Sequence, residues 1–355
     1  MRAFGYLVPE GSTLGVAVSG GSDSLSLLVL ATEYATSSGV RVCAVTVDHG
    51  LRPEAKDEAR AVRQMCDALS VAHDTVHWRR TRDAPPSQDG ARRARHALLA
   101  DWASERGIER VALGHTRDDR LETFLMRARQ GSGWHGLAGP MPNTVSPVWP
   151  EGRLLKLVRP LLAFGREELR DALGARGLAW VEDPSNEAMR FERVRMRQLI
   201  ARMAPPARAK AIAVMDRLMR LRASAAEEAS AAFATLRLGE DASEVQLGLD
   251  LRGSLGAEAW RRLVEALVLA AGGGERAPRR EALERLLARI AGGDAQLARG
   301  VTLAGARIRL REGGPLIIGR APPRRSEPPD GRGIGPDWAR AEALLAAPDI
   351  RVLEV

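Results

Sequence analysis

Six residues, Ser19, Gly20, Gly21, Ser22, Asp23 and Ser24, sit directly between an apolar run, Gly15 to Val18, and a helical pattern, Leu25 to Thr32. Glycines at a strand-to-helix turn let backbone N–H groups close around an anion, and the helix N-terminus adds partial positive charge. The string therefore predicts a phosphate cradle. No Lys follows the glycines as in a Walker A loop, and the G-x-G-x-x-G spacing of the dinucleotide fold is missing. The plainer reading is a Ser/Gly turn with Ser22 or Asp23 as N-cap. A second constellation runs through Gly114, His115, Thr116, Arg117, Asp118, Asp119, Arg120, Leu121, Glu122 and Thr123. Asp118 and Glu122 are spaced i, i+4 and share a helix face. Their plainer reading is capping and compensation of the helix dipole. His115 could donate to phosphate, shuttle a proton or be structural, and His49 is a similar candidate.

These residues need a scaffold that presents them together. Candidate strands cover residues 15–19, 40–47, 73–78 and 110–113, and candidate helices cover 24–34, 54–69, 91–106 and 118–129. Alternation of this kind predicts an α/β fold with a parallel sheet. In such sheets ligands sit beyond the carboxyl ends of the strands. Those ends carry Ser19 to Ser24, Asp48 to Arg52 and Gly114 to Asp119. Residues 144–162 are Pro-rich and read as irregular, followed by a helix over 165–176 and a turn at Glu182 to Asn186. Pro205 and Pro206 predict a domain boundary. Beyond it come a long Ala- and Arg-rich helix over 207–233, further helices over 257–271 and 279–291, and a hairpin over 300–320 turning at Gly313 and Gly314. The composition of residues 321–335 is that of a flexible linker.

Composition narrows the function classes. At 355 residues, with 45% hydrophobic and 28% charged content, about two globular domains are expected, and disorder throughout is excluded. No apolar run is long enough to span a bilayer, and the first residues lack a signal-peptide core, so a cytosolic protein without membrane association is expected. Cys43 and Cys66 stand too far apart for a CxxC pair and are too few for a four-cysteine zinc site or a disulfide framework. The net charge of +8 fits a polyanionic partner, most often nucleic acid, or simply an Arg-heavy composition, since all but three of the 53 basic residues are arginine. Aromatics make up only 4%, which argues against a base-stacking platform.

Ser19 to Ser24 after a strand resembles the pyrophosphate-binding loop of the PP-loop ATPases, which cleave ATP between the α- and β-phosphates. Four further strings follow in order: Val47 to Arg52 (VDHGLR), Leu113 to Thr123, Gly131 to Gly139 (GSGWHGLAG) and Arg159 to Leu162 (RPLL), with Glu182 to Asn186 (EDPSN) after them. Together they resemble the tRNA(Ile)-lysidine synthetase family over roughly residues 14 to 200. Thiolase relatives generally use cysteines at positions this chain leaves empty. Three departures stand out. Arg120 replaces the Gln of DDQxET, residues 87–96 match NxxAxARxxRY without the leading Asn and with His96 for Tyr, and Val194 follows Arg193 where the family has Asn.

The resemblance implies an α/β, parallel-sheet PP-loop domain of the adenine nucleotide alpha hydrolase-like type over residues 1–205. A smaller, mainly helical tRNA-binding domain with a terminal hairpin would cover 206–320, and a linker and tail 321–355. It implies a ligase joining free L-lysine through its ε-amine to C2 of the wobble cytidine of a tRNA(Ile) with a CAU anticodon. The route is an adenylated cytidine, ATP becomes AMP and pyrophosphate, and codon reading switches from AUG to AUA. ATP would lie on Ser19, Gly20, Gly21, Ser22, Asp23, Ser24 and His49. Mg²⁺ would contact Asp23 and Asp119, while Glu122 with Asp119 could instead hold the lysine ammonium. Asp23, His115, Asp119 and Glu122 are the candidate catalytic set. Arg92, Arg95, Arg159, Arg193 and Arg197 are candidates for RNA contact, with pairing to a carboxylate open for Arg159 and a solvated basic face open for Arg193 and Arg197. Gly131, Gly133 and Trp134 would form a lid, or a mobile surface loop. A structural or dimerising role for the C-terminal region, and with it a homodimer, stays open. The alternatives are another PP-loop RNA modifier, or a catalytically dead RNA-binding protein on the same fold.

Overall fold

The computed structural model describes residues 1–48, 55–78, 88–153, 155–181, 192–239, 241–322 and 335–355. His49 and the EDPSN turn therefore lie outside the described residues. The chain divides into two compact units, one of residues 1–222 with 348–355 and one of residues 223–347.

The first unit opens with α1 (Arg2–Leu7) and then alternates strand and helix: β1 (Thr13–Ala17), α2 (Ser22–Ser38), β2 (Arg41–Asp48), α3 (Ala55–Ala68), β3 (Ala72–His77), α4 (Gln88–Glu105), β4 (Arg110–Ala112) and α5 (Arg117–Arg129). A one-turn helix α6 (Trp134–Leu137) precedes β5 (Asn143–Val145) and β6 (Lys156–Val158), and then come α7 (Arg166–Gly174), α8 (Glu192–Ala201) and α9 (Pro205–Ala234). The sheet order is β3-β2-β1-β4-β6-β5, and every pairing is parallel except β5 with β6. Helices cover both faces, so the central strand is buried from either side, with Leu14 and Val16 fully inaccessible. One core holds Leu14, Val16, Leu27, Leu28 and Val62, and the other Val45, Leu99, Trp102, Val111 and Leu157. Residues 144–162, expected to be irregular, contribute β6 and the end of β5. Strands of three residues leave too short an alternation to stand out in a Pro-rich stretch.

The second unit contains β7 (Arg237–Leu238), β8 (Glu244–Leu247), α10 (Asp250–Ser254), α11 (Ala257–Gly272), α12 (Arg280–Ala291), α13 (Gln296–Arg299), β9 (Val301–Leu303), β10 (Ala306–Leu310), β11 (Leu316–Arg320) and α14 (Trp338–Leu345). The expected hairpin is there as β10 and β11, within a five-stranded antiparallel sheet of order β7-β8-β11-β10-β9. Leu263, Val264, Leu267, Leu286, Ile308 and Ile318 join helices and sheet in one core. The stretch expected as a tail is ordered beyond residue 335. Trp338, Ala341 and Leu345 on α14 enter that core, and the Trp338 indole N–H donates to the Ala242 carbonyl at 2.7 Å. A 3-10 helix (Ile350–Glu354) returns to the first unit and buries Val352. The division between units also falls inside α9, after Arg222, because the first turns of that helix supply Met215 to the core around Leu121 and Ile200.

Candidate active site

The phosphate-loop string joins β1 to α2. Gly20 takes φ +89°, a left-handed conformation that glycine reaches without penalty, and Gly21 caps α2. The Ser24 hydroxyl holds the turn, donating to the Gly21 carbonyl at 3.0 Å and accepting from the Ser19 backbone N–H at 3.1 Å. The end of the neighbouring strand comes so close that a Cβ on Gly114 would lie 3.2 Å from the Asp23 backbone. That approach carries His115 and the head of α5 to the loop.

Thr116 caps α5. Its backbone N–H and hydroxyl donate to Asp119 Oδ2 at 2.8 and 3.0 Å, and Asp119 N–H donates back to the hydroxyl at 3.4 Å. A reciprocal cap of this kind contributes about 1 kcal/mol and fixes the Asp119 carboxylate. Asp119 Oδ1 is left to face Arg166. Asp118 instead meets the Arg166 backbone, accepting from its N–H at 2.8 Å, and accepts from Arg208 Nη2 at 2.7 Å. Asp118 and Glu122 thus both meet Arg166, the first at its backbone N–H and the second at its guanidinium.

Arg166, the first residue of α7, collects the acidic groups. Its Nε donates to Asp23 Oδ2 at 3.0 Å, Nη1 to Glu122 Oε1 at 2.7 Å and Nη2 to Asp119 Oδ1 at 2.6 Å. Glu122 is fully buried, also accepts from Arg197 Nε at 2.8 Å, and leaves Oε2 without a partner among the described residues. Burial works against the Arg166 charge, but Asp119, Glu122 and Asp23 outweigh it and raise its pKa. The Asp23 carboxyl moves up, because burial exceeds the pull of Arg166. Asp119 moves down, its burial outweighed by Arg166, His115 and the Thr116 N–H. Asp23 and Asp119 thus bring hard oxygen donors to one cation, the donor set that suits Mg²⁺ shared with substrate phosphates. Among the described residues no group of three or more His, Cys, Asp or Glu side chains is arranged as a metal site by itself.

The groups around His115 have the opposite character. Burial, followed by Arg159, pushes the His115 imidazole down and keeps it neutral, and its Nδ1 has no partner among the described residues. Burial also pushes His96 down, to about 4, with Arg92, Arg95 and Arg159 adding to the effect. Arg159 is 8% exposed and is itself brought down to about 10 by burial and by Arg92 and Arg222. Its Nη1 donates to the Met141 carbonyl at 2.8 Å and to Thr144 at 3.1 Å, which ties it to the β5 edge. Arg92, Arg95 and Arg193 are exposed and form no ion pair among the described residues. Residues 131–139 hold α6, which starts after Gly133. Gly131 lies at φ +66° and Trp134 packs edge-on to His135 at 5.9 Å.

Three contributors escaped the sequence reading: Arg166, Arg208 and Asp216, the last an ion-pair partner of the buried Arg120. In a chain this rich in arginine, no one-dimensional signal separates Arg166 from Arg170 on the same helix or Arg176 just beyond it.

The PP-loop domain family matches residues 4–204. The tRNA(Ile)-lysidine synthase of Hyphomonas neptunium is 43% identical over 87% of this chain and 84% of its own length. The enzyme of the same name from Rhodopseudomonas palustris is 38% identical over 87% and 91%, and that from Ruegeria pomeroyi 40% over 78% and 65%. The chain belongs to the tRNA(Ile)-lysidine synthase family. It is thus an ATP-using ligase of the PP-loop class, and the loop, the α5 carboxylates and Arg166 all fall within the matched domain. A solved structure, the tRNA thiolase NcsA from Methanococcus maripaludis, superposes with a TM-score of 0.51 at 17% identity over 61% of this chain and 76% of that one, a likeness of fold. Among the described residues no helix is long and apolar enough to cross a membrane.

Proposed function

We propose that the chain ligates the ε-amine of free lysine to C2 of the wobble cytidine in a tRNA(Ile) with a CAU anticodon. The observation that carries this beyond the family is the meeting of a phosphate loop with three buried or part-buried carboxylates beside a basic, neutral-histidine wall. The C2 oxygen of cytidine is a poor leaving group. Its attack on the α-phosphate of ATP releases pyrophosphate, which Ser19 to Ser24 would receive through backbone N–H groups and the α2 N-terminus. Asp23 and Asp119 would hold Mg²⁺, which when bound neutralises charge on the phosphates. Lysine then attacks C2, the oxygen departs with AMP, and the proton of the amine must be taken up.

The free ε-amine has a pKa near ~10.4, so a base is needed close by. His115 is held neutral by burial and is a weak base. Glu122, with one buried oxygen lacking a donor among the described residues, would be the seat for the ammonium, and the proton would pass to a nearby carboxylate or to His115. Arg92, Arg95 and Arg193 would meet RNA phosphates, whereas Arg197 is engaged by Glu122 and the buried Arg159 by Met141 and Thr144; the 223–347 unit would extend tRNA binding. Residues 131–139 would close over the adenylated base and exclude water, whose attack would give uridine. Trp134→Ala should then release more AMP than lysidine formed, whereas strict coupling at an unchanged rate would put the water barrier elsewhere. Mass spectrometry of tRNA nucleosides after incubation with the protein, ATP and lysine tests the assignment. Lysidine supports it, and unmodified cytidine with AMP release on a different RNA would favour another PP-loop modifier.

A further inference from the structure

Arg166 occupies the place where three carboxylates converge, and each of its three nitrogens meets a different one. All three acids belong to the group assigned above to cations, so a metal ion and the lysine ammonium would have to enter a position already filled by a guanidinium. A divalent ion beside a retained Arg166 would set like charges in contact in a part-buried site, where repulsion is weakly screened. Removing the guanidinium without a new partner would strand a charge of the same kind. The exchange is favourable only if something negative arrives with the cation. That requirement is met at the phosphate loop Ser19 to Ser24, to which Asp23 itself belongs. On the same face of α7, one turn on, Arg170 Nε already lies 3.4 Å from Ser22 Oγ in that loop.

We infer that Arg166 is a resident cation that trades the carboxylates for the phosphates of ATP, so that metal and nucleotide load together while either alone binds poorly. This rests on the functional reading for the identity of the nucleotide and metal, but it concerns loading and needs neither tRNA nor lysine. The swap makes Arg166 a phosphate-binding residue kept in reserve, and it ties the opening of the Glu122 seat to the arrival of ATP. Lysine would then bind after nucleotide, which limits hydrolysis of an adenylate formed without its acceptor.

The test is Mn²⁺ binding to the full chain, followed by electron paramagnetic resonance, with and without α,β-methylene-ATP. In the wild type the analogue should tighten Mn²⁺ binding about tenfold beyond what the Mn²⁺–nucleotide complex itself accounts for. In Arg166→Met, Mn²⁺ alone should bind about tenfold tighter than to the wild type, and the tightening by nucleotide should vanish. Arg166→Lys keeps one charge but cannot span three carboxylates, so it should fall between the two. It carries the test if the Met variant does not fold by circular dichroism. Mn²⁺ affinity and coupling equal to wild type in the folded variants would overturn the proposal and make Arg166 a fixed strut. A wild type that shows the coupling yet forms no lysidine would count against the functional reading alone.

Discussion

The acidic and basic walls of the site, the carboxylates around Arg166 and the arginines and histidines around His115, treat charge in opposite ways. On the acidic wall every carboxylate has a cationic partner inside the fold: Asp23, Asp119 and Glu122 share Arg166, Glu122 adds Arg197, and Asp118 takes Arg208. On the basic wall Arg92, Arg95 and Arg193 have no acidic partner among the described residues, and His96 and His115 are held neutral by burial and by those arginines. A compensated wall is stable without ligand and must be opened to work. An uncompensated wall stores repulsion that an incoming polyanion relieves, which is how phosphate-binding surfaces gain affinity.

The largest effect is expected on the acidic wall. Asp23→Ala should abolish AMP formation while fold and tRNA affinity remain, measured by AMP release and filter binding. Near-normal AMP release from a folded variant would remove Asp23 from the nucleotide step.

Next comes a pair that belongs to the compensated class but does no chemistry. Arg120, 2% exposed, replaces the glutamine of the family pattern and is paired with Asp216 on α9. Asp216→Ala would leave a buried guanidinium with only the Leu162 carbonyl among the described residues and should cost about 3 kcal/mol in urea unfolding. Arg120→Gln leaves the more exposed carboxylate to water and should cost less. Equal costs would mean that the pair is not what anchors α9 to α5.

The basic wall should show the burial of His96, reinforced by its arginine neighbours, as acid sensitivity. His96 has a folded pKa of about 4 against an ordinary value of 6.5. The unfolded chain therefore takes up the proton first, and the stability present above pH 6.5 is lost progressively as pH falls toward about 4. The loss from this group is at most ~3 kcal/mol. His96→Tyr, which restores the family residue, should flatten the fall in melting temperature across that window. An unchanged profile would assign the acid sensitivity to other groups. The smallest effect is on RNA affinity: Arg193→Gln should reduce the slope of log K against log salt for tRNA binding by about 0.7 to 0.9. A slope equal to wild type would make Arg193 part of a solvated face.

The compensated wall was only half legible in the sequence. The phosphate loop and the α5 head showed themselves because function there demands rare residue types at fixed spacing, the first three strands and their helices because their apolar runs are long enough to read, and the three-residue β4 because it directly precedes the α5 head string. Arg166 did not, since its role depends on the N-terminus of α7 folding back beside α5, a tertiary fact invisible among so many arginines. The same limit hid Asp216, and it hid the buried state of Arg159, whose carbonyl partners come from a segment with no periodic signal. On α14 a signal did exist: Trp338, Ala341 and Leu345 repeat at helical spacing, but the Pro-rich residues before them gave the whole stretch the look of a linker.

The central claim is that the oxygen activated in this site is the C2 oxygen of cytidine, and isotope transfer tests it directly. A tRNA(Ile) transcript carrying ¹⁸O at C2 of the wobble cytidine would be incubated with the protein, ATP and lysine, and the released AMP analysed by mass spectrometry. The account predicts that ¹⁸O appears in the phosphate of AMP in proportion to the lysidine formed. Lysidine accompanied by unlabelled AMP would contradict it, because the oxygen leaving C2 would then never have been bonded to the α-phosphate.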